Sequence, residues 1–432
     1  MVSIKRITAV FTVVAIMICM LTFSSGAVQS YDEWVKNWDS INSSDGDITL
    51  TPGTDITQMN FSWQSKFLSV KGSISVGKEA DLSDGKNLSV SRKLNIIGFE
   101  WTQNATASNL EEDTVYYYSY TSNGEASDIY SFKTGKAGST EILFVSDPQI
   151  GRSKLSTDEE TYKHDTYGWS NTLETAFETF PNINFMLCAG DETEIGFSEK
   201  QYSMFESPAV LRSCPVAATI GNHDFYAINY SYHFNNPNSD TKVGVRWPAG
   251  NGYYFSYNDI LFIVLDSNSL NFYAPDKILS AAVNAYPNAK WRVVMMHHSP
   301  FDANSQKYFL SVLTRYDIVP YFDKYDIDIC LGGHDHYYSR SFMIKNLKVT
   351  DDTELNNVYT NPKGTLYLSA STASGCNFSG IDEEEINEYT DFCTQTRTPN
   401  YSILDFTDGK LTVSTYETSE NKMIDTVSIV KK

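Results

Sequence analysis

Between Ile48 and Thr134 apolar and polar residues alternate in short runs separated by turn residues. The runs are Ile56 to Trp63, Ser73 to Val76, Lys93 to Trp101, Thr114 to Tyr120 and Ile129 to Phe132. Period-two runs at this spacing predict a small antiparallel β-sandwich over residues 48–135. Lys133 to Thr140, with Gly135 and Gly138, reads as a linker. From Glu141 the pattern changes to continuous apolar strands: Ile142–Val145, Ile183–Ala189, Pro215–Ile220, Ile260–Leu265, Val293–Met296 and Ile327–Leu331. Runs apolar on both faces belong to buried sheets. Trp169–Phe180 and Tyr308–Tyr325 have helical periodicity, so residues 141–432 form an α/β domain. Gly409 to Val430 returns to alternation and closes a sheet edge.

The start of the chain has a different character. Lys5 and Arg6 precede an apolar run from Ile7 to Phe23, and Ser24-Ser25-Gly26-Ala27 come directly after it. This order predicts a secretory signal peptide over 1–27 and an extracytoplasmic protein, secreted or held at the cell surface. The competing reading is an uncleaved membrane anchor, since the run approaches the length of a span. Residues 28–47 form a polar extension around Trp34 and Trp38. No later stretch is long and apolar enough to cross a bilayer.

Charge narrows the partners. The chain has a net charge of −20, which becomes −22 once Lys5 and Arg6 leave with the signal. Such an acidic chain is a poor binder of nucleic acid backbones. It does not exclude an anionic substrate, because bound metal ions dominate the field of a site. Cys188, Cys214 and Cys330 lie in apolar runs and read as core residues, whereas Cys376 and Cys393 bracket an acid-rich loop and suit a disulfide in an oxidising compartment.

The chemistry is concentrated where the strands end. Ile142–Val145 leads into Asp147 and Gln149, and Phe185–Ala189 into Gly190-Asp191. Pro215–Ile220 leads into Gly221-Asn222-His223-Asp224, Val293–Met296 into His297-His298, and Ile327–Leu331 into Gly333-His334-Asp335-His336. Ligands of α/β sheets bind beyond the carboxyl ends of strands, so these side chains converge on one crevice. Carboxylates, an amide oxygen and imidazoles suit Zn, Mn or Fe. Two such ions about 3.5–4 Å apart can hold a hydroxide nucleophile and stabilise in-line displacement at phosphorus. Taken singly, an Asp after a strand is a cap and Gly-Asn is a turn. It is their ordered conjunction that favours a metal site.

Asp147, Gly190-Asp191, Gly221-Asn222-His223-Asp224, His297 and Gly333-His334-Asp335-His336 together resemble the motif set of the calcineurin-like metallophosphoesterases. Within that superfamily the chain is similar to purple acid phosphatases and their bacterial relatives. Thr51 to Trp63 resembles the opening of their fibronectin-like N-terminal domain, and Tyr253 to Ser267 a hairpin of their catalytic domain. The resemblance implies a four-layer αββα catalytic domain behind a fibronectin III/Ig-like sandwich. It implies two divalent or mixed-valence metal ions (Fe, Zn or Mn), with Asp191 bridging, Asp147 and His336 on one ion, and Asn222, His297 and His334 on the other. His223 would contact the phosphoryl group or protonate the leaving oxygen, and Asp224 would orient it.

The departures from the family pattern matter. Purple acid phosphatases place a tyrosine ligand three residues after the bridging Asp; here that residue is Glu194, which weakens the case for an iron-tyrosinate. Asp-X-His at the first motif is replaced by Asp147-Pro148-Gln149, so Gln149 is either an amide ligand or a partner of a metal-bound water. His297 comes directly after its strand and is the preferred ligand, leaving His298 to face substrate or pack nearby. His164 and His233 lie between motifs; His233 is kept as a substrate-contact candidate.

The expected activity is hydrolysis of phosphate esters, with an acid-phosphatase-like monoesterase favoured over a phosphodiesterase or nucleotide phosphohydrolase of the same fold. The rival from another class is a non-catalytic secreted binding or adhesion protein. The expected partner is a phosphorylated small molecule, and homo-oligomers occur among the resembling proteins.

Overall fold

The computed structural model describes residues 29–43, 48–153, 158–239, 249–268, 274–304, 309–352, 356–407 and 409–432. The expected signal peptide lies outside these residues. Among the described residues no helix is long and apolar enough to cross a membrane.

The alternating runs of the N-terminal half form two facing antiparallel sheets. One orders Thr49–Pro52, Met59–Lys66, Glu100–Ala107 and Val90–Asn95; the other is built on Ile74–Gly77 and Val115–Ser122. Phe61, Trp63, Ile74 and Tyr118 fill the space between them. The single strand expected from Lys93 to Trp101 is instead a hairpin. Asn95 Oδ1 accepts the N–H groups of Ile97 and Gly98, both over 3.0 Å, and Phe99 takes a positive φ of 55°, so the chain reverses there.

The second half stacks two seven-stranded sheets. The first orders Val216–Ala218, Phe185–Cys188, Ser139–Val145, Asn400–Thr407, Lys410–Glu417, Lys422–Val430 and Val358–Thr360. The second orders Tyr253–Tyr257, Ile260–Val264, Trp291–His298, Ile329–Gly333, Leu366–Ser369, Tyr338–Ser341 and Thr390–Thr394. Ile142, Phe144 and Leu187 of one sheet meet Phe262, Met295 and Leu331 of the other in the central core. Helix Glu159–Thr179 covers the outside of the first sheet through Trp169 and Leu173, and helix Ala274–Ala285 covers the second through Ile278 and Leu279. The layers run αββα.

Two helices depart from expectation. Glu159–Thr179 begins ten residues before Trp169 because Asp158 caps it, accepting the Thr161 N–H over 2.8 Å. Its polar first turns and Gly168 conceal it in the sequence, and Gly168 is required because Ser374 O presses against that position. Tyr308–Tyr325 becomes two helices, Phe309–Asp317 and Val319–Lys324, with Pro320 in the first turn of the second.

The two halves are joined by polar contacts. Ser62 Oγ and Gln64 Nε2 both donate to Tyr232 O over 2.9 Å, and Tyr118 OH donates to Arg212 O over 2.7 Å. Thr49 Oγ1 donates to Glu206 Oε1 over 3.0 Å, and Asn95 Nδ2 to Glu199 Oε1 over 2.7 Å.

Candidate metal centre

In the first sheet Ser139–Val145, Phe185–Cys188 and Val216–Ala218 run parallel; in the second, Ile260–Val264, Trp291–His298, Ile329–Gly333 and Leu366–Ser369 do. Both groups deliver polar side chains from their carboxyl ends. The backbone there is unusual. Asp147, Gln149, Asp191, His334 and His336 all have φ between 38° and 77°, a region that L-residues seldom enter. Such conformations persist where surrounding structure enforces them, and they gather at functional sites.

Three ligand-type side chains meet at His297. Its Nε2 lies 3.0 Å from Asn222 Oδ1, 3.3 Å from Asp191 Oδ2 and 3.3 Å from His334 Nδ1. Its Nδ1 donates to Ala189 O over 2.8 Å, which directs Nε2 into the cluster. On the neighbouring side Asp147 Oδ1 faces His336 Nε2 at 3.4 Å, and Asp147 Oδ2 accepts the His334 N–H over 2.9 Å. Nδ1 of His336 is engaged by Asn377 O at 3.1 Å. Asp147, Asp191 and His297 present ligand atoms within 4.8 Å of one another, as do His297, His298 and His334. Gly221 and Gly333 are necessary for this approach, since a Cβ at either would strike the Asp191 or the Asp147 carboxylate.

This donor set fits a pair of ions. Asp147 Oδ1 and His298 Nε2 are buried without a hydrogen-bond partner, as expected of groups awaiting a ligand. Burial acts to raise the Asp191 carboxyl, yet His297 and His223 beside it hold it well below the usual range. Burial lowers His297, but Asp191 and Asp147 outweigh it and push the imidazole up to about 9. Burial and the charge of His297 carry His334 down to about 4.

His298 also enters the crevice, although consecutive strand residues normally point to opposite faces. A register shift between Met295 and His298 turns both rings inward, with centroids 4.9 Å apart. Nδ1 of His298 pairs with Ser267 Oγ at 2.9 Å.

Other candidates lie elsewhere or act differently. Gln149 spends its amide on Glu194 Oε2, to which Nε2 donates over 2.9 Å, and its Oε1 faces Cys376 Sγ at 3.8 Å. Asp224 does not touch His223. Its Oδ2 accepts the N–H groups of Asp191 over 2.9 Å and Gly221 over 3.0 Å, so it shapes the turns that carry Asp191 and Asn222. His223 is instead held by Glu194, with Nδ1 at 2.9 Å from its carbonyl and 3.4 Å from Oε2. His233 is not a substrate residue: only 3% exposed, it sits between Glu206 Oε1 at 2.7 Å and Glu199 Oε2 at 2.9 Å, beside the N-terminal domain. The expected Cys376–Cys393 disulfide is absent; both thiols are free, since Cys376 turns toward Gln149 while Cys393 pairs opposite Ser339 in a sheet. His164 is half exposed beside Asp165.

Sequence reasoning missed Glu192, fully buried beside Asp224, where burial and the Asp224 charge push its carboxyl well up. It also missed Asp302, whose Oδ1 accepts from Tyr337 OH over 2.6 Å and whose carboxyl burial raises to about 6. Position four residues after His298 was the only available signal for Asp302.

Fold and crevice together define a metallophosphoesterase fold with an all-β domain in front. Residues 140–338 match the calcineurin-like phosphoesterase family, and residues 46–134 match the purple acid phosphatase N-terminal domain. The chain therefore carries a calcineurin-like phosphoesterase domain preceded by a purple acid phosphatase N-terminal domain. Among solved structures, the purple acid phosphatase PPD1 from yellow lupin (Lupinus luteus) seeds superposes with a TM-score of 0.70 at 14% identity, covering 89% of this chain and 74% of that one. PhoD superposes at 0.59 with 11% identity over 88% and 91%. In sequence, acid phosphatase type 7 of Mus musculus is 24% identical over 39% of this chain, and an uncharacterized protein of Mycobacterium tuberculosis is 22% identical over 61%. The matches span 41% and 56% of those relatives' own lengths.

Proposed function

We propose that the protein is a secreted, metal-dependent phosphoesterase with a preference for phosphate monoesters. The observation that carries this reading is the convergence of Asn222, Asp191 and His334 on His297 Nε2 within 3.0–3.3 Å. Asp147, Asp191 and His336 would hold one ion, and Asp191, Asn222, His297 and His334 the other. The ions, when bound, polarise the phosphoryl oxygens and supply the attacking oxygen at neutral pH.

The chain's own groups do the rest. Ala189 O and Asn377 O fix the ligand imidazoles, so little reorganisation accompanies the reaction. His223, whose side chain is 26% exposed, has Nδ1 tied to Glu194. This leaves Nε2 to meet a phosphoryl oxygen or to give a proton to the leaving alcohol. His298, aimed at the same space, keeps its ring neutral because burial and the neighbouring His334 and His297 lower its pKa far below the usual value.

The test is hydrolysis of p-nitrophenyl phosphate and bis-p-nitrophenyl phosphate across pH with Mn, Zn or Fe, beside Asp191→Ala and His334→Ala. Metal-dependent turnover lost in both variants, and greater on the monoester, is the expected result. A folded protein inactive with every metal would return the weight to a non-catalytic binding protein.

A further inference from the structure

The rim beside His223 is apolar. Glu194, which holds the His223 ring, is followed by Ile195, Gly196 and Phe197, and His223 itself is followed at three residues by Tyr226. Gly196 lies against this turn, where a Cβ would come 2.6 Å from His223 O, and its N–H donates to Tyr226 OH over 3.4 Å. The two loops are thereby locked together, with the rings of Phe197 and Tyr226 5.4 Å apart. Yet Ile195, Phe197 and Tyr226 remain 38%, 45% and 36% exposed. Single exposed apolar residues are ordinary; three gathered on the edge of a polar crevice are not.

The apolar track continues onto the N-terminal domain. Phe197 is two residues before Glu199, and a Cβ on Gly98 would lie 3.2 Å from Glu199 Cγ. The Ile96–Phe99 turn therefore abuts the same segment, with Ile96 and Phe99 about two-thirds exposed and the Phe99 ring 5.5 Å from that of Phe67. A sugar or nucleotide alcohol needs hydrogen-bonding groups beside the leaving oxygen. The Ile195 and Phe197 side chains offer none, and the Tyr226 hydroxyl, which accepts from the Gly196 N–H, brings a single O–H at the edge of two apolar side chains.

We infer that the alcohol released by this enzyme is apolar, an aryl or extended alkyl group, and that it packs on the shelf of Ile195, Phe197 and Tyr226. The inference rests on the phosphoesterase reading and specifies its substrate class. The His223 N–H donates to the ligand-type Asp191 Oδ1 over 2.9 Å and its carbonyl lies against Gly196 of the shelf, so an ester held at the Asp191 side would carry its departing part toward the shelf.

The test compares kcat/KM for ethyl, butyl, hexyl and octyl phosphate, below concentrations at which they self-associate, in the metal-loaded full chain. Half-covered methylenes give roughly a twofold gain each, so with three to six of them on the shelf octyl phosphate exceeds ethyl phosphate by about 10- to 60-fold. Phe197→Ser combined with Tyr226→Ser brings that ratio toward one, and Phe197→Leu preserves most of it. General damage to the site would lower both esters together and leave the ratio intact. A wild-type ratio near one, or a ratio untouched by the double variant, overturns the shelf while leaving the phosphoesterase standing. Absence of turnover on every ester overturns both.

Discussion

Asp224 holds Asp191 by the backbone rather than through its side chain: the Asp191 N–H donates to Asp224 Oδ2 over 2.9 Å. The same oxygen takes the Gly221 N–H, so one carboxylate fixes two of the turns that deliver metal ligands. Asp224→Ala leaves both buried N–H groups without an acceptor. Metal affinity is expected to fall about 10–100-fold, read by metal content after dialysis against graded chelator. Unchanged affinity in a folded variant would remove Asp224 from this role.

Glu194 gathers Gln149, Arg152 and His223 through one side chain and its carbonyl. Glu194→Ala removes the carboxylate that contacts His223, Gln149 and Arg152, keeps the carbonyl that holds His223 Nδ1, and deletes no member of the His297 cluster. The expected result is a loss of roughly tenfold or more in kcat/KM at near-normal metal content. Metal content falling in step with activity would instead assign Glu194 to an ion.

The buried triad of Glu199, His233 and Glu206 gives stability a pH dependence. Burial lowers the His233 pKa, but the facing carboxylates Glu206 and Glu199 override it and push the value up to about 10. The unfolded value is near 6.5. The folded state therefore binds the proton more tightly, and this stabilisation is complete below about pH 6.5 and lost as pH rises through 10. Glu199, pulled down by His233 and amide donors against its burial, adds stability above the ordinary carboxylate range that vanishes on acidification. Denaturant midpoints between pH 6 and 10 should fall steadily in the wild type. His233→Gln should be less stable at pH 6 by about 3–5 kcal/mol and show a flatter profile; an equal slope in the variant would exclude His233 as its source.

Cys188, Cys214, Cys330, Cys376 and Cys393 are all free thiols. Thiol titration of the unreduced, denatured protein expressed without residues 1–27 should find all five, and reduction should leave its gel mobility unchanged. Two missing thiols would restore the Cys376–Cys393 bridge.

How far these features were legible in the sequence depends on their range. Asp147, Asp191, Asn222, His297 and His334 announce themselves because buried parallel strands are continuous apolar runs, and the first polar residues after each run stand at the sheet edge. The pairing of Asp224 with the Asp191 N–H has no such signature, because it joins two loops through a backbone group that every residue possesses. His233 misled for a related reason. Its partners lie 34 and 27 residues upstream, and only their i,i+7 spacing on helix Glu199–Glu206 marks them as sharing a face. The Cys376–Cys393 pairing failed because loop composition does not reveal that Cys393 belongs to a strand. The hairpin at Ile96–Phe99 was hidden by its own apolar residues, which read as strand where they form an exposed tip.

The acceptors of the triad are shared across the domain boundary: Thr49 serves Glu206, and Asn95 serves Glu199. Cutting the chain near residue 135 would strip both carboxylates of donors that belong to the other piece. It would also expose Tyr232 O, which Ser62 and Gln64 now satisfy. The N-terminal half is thus no detachable accessory. It behaves as a wall of the catalytic half, and recombination or fragment expression that separates the two should yield a catalytic unit unable to stand alone.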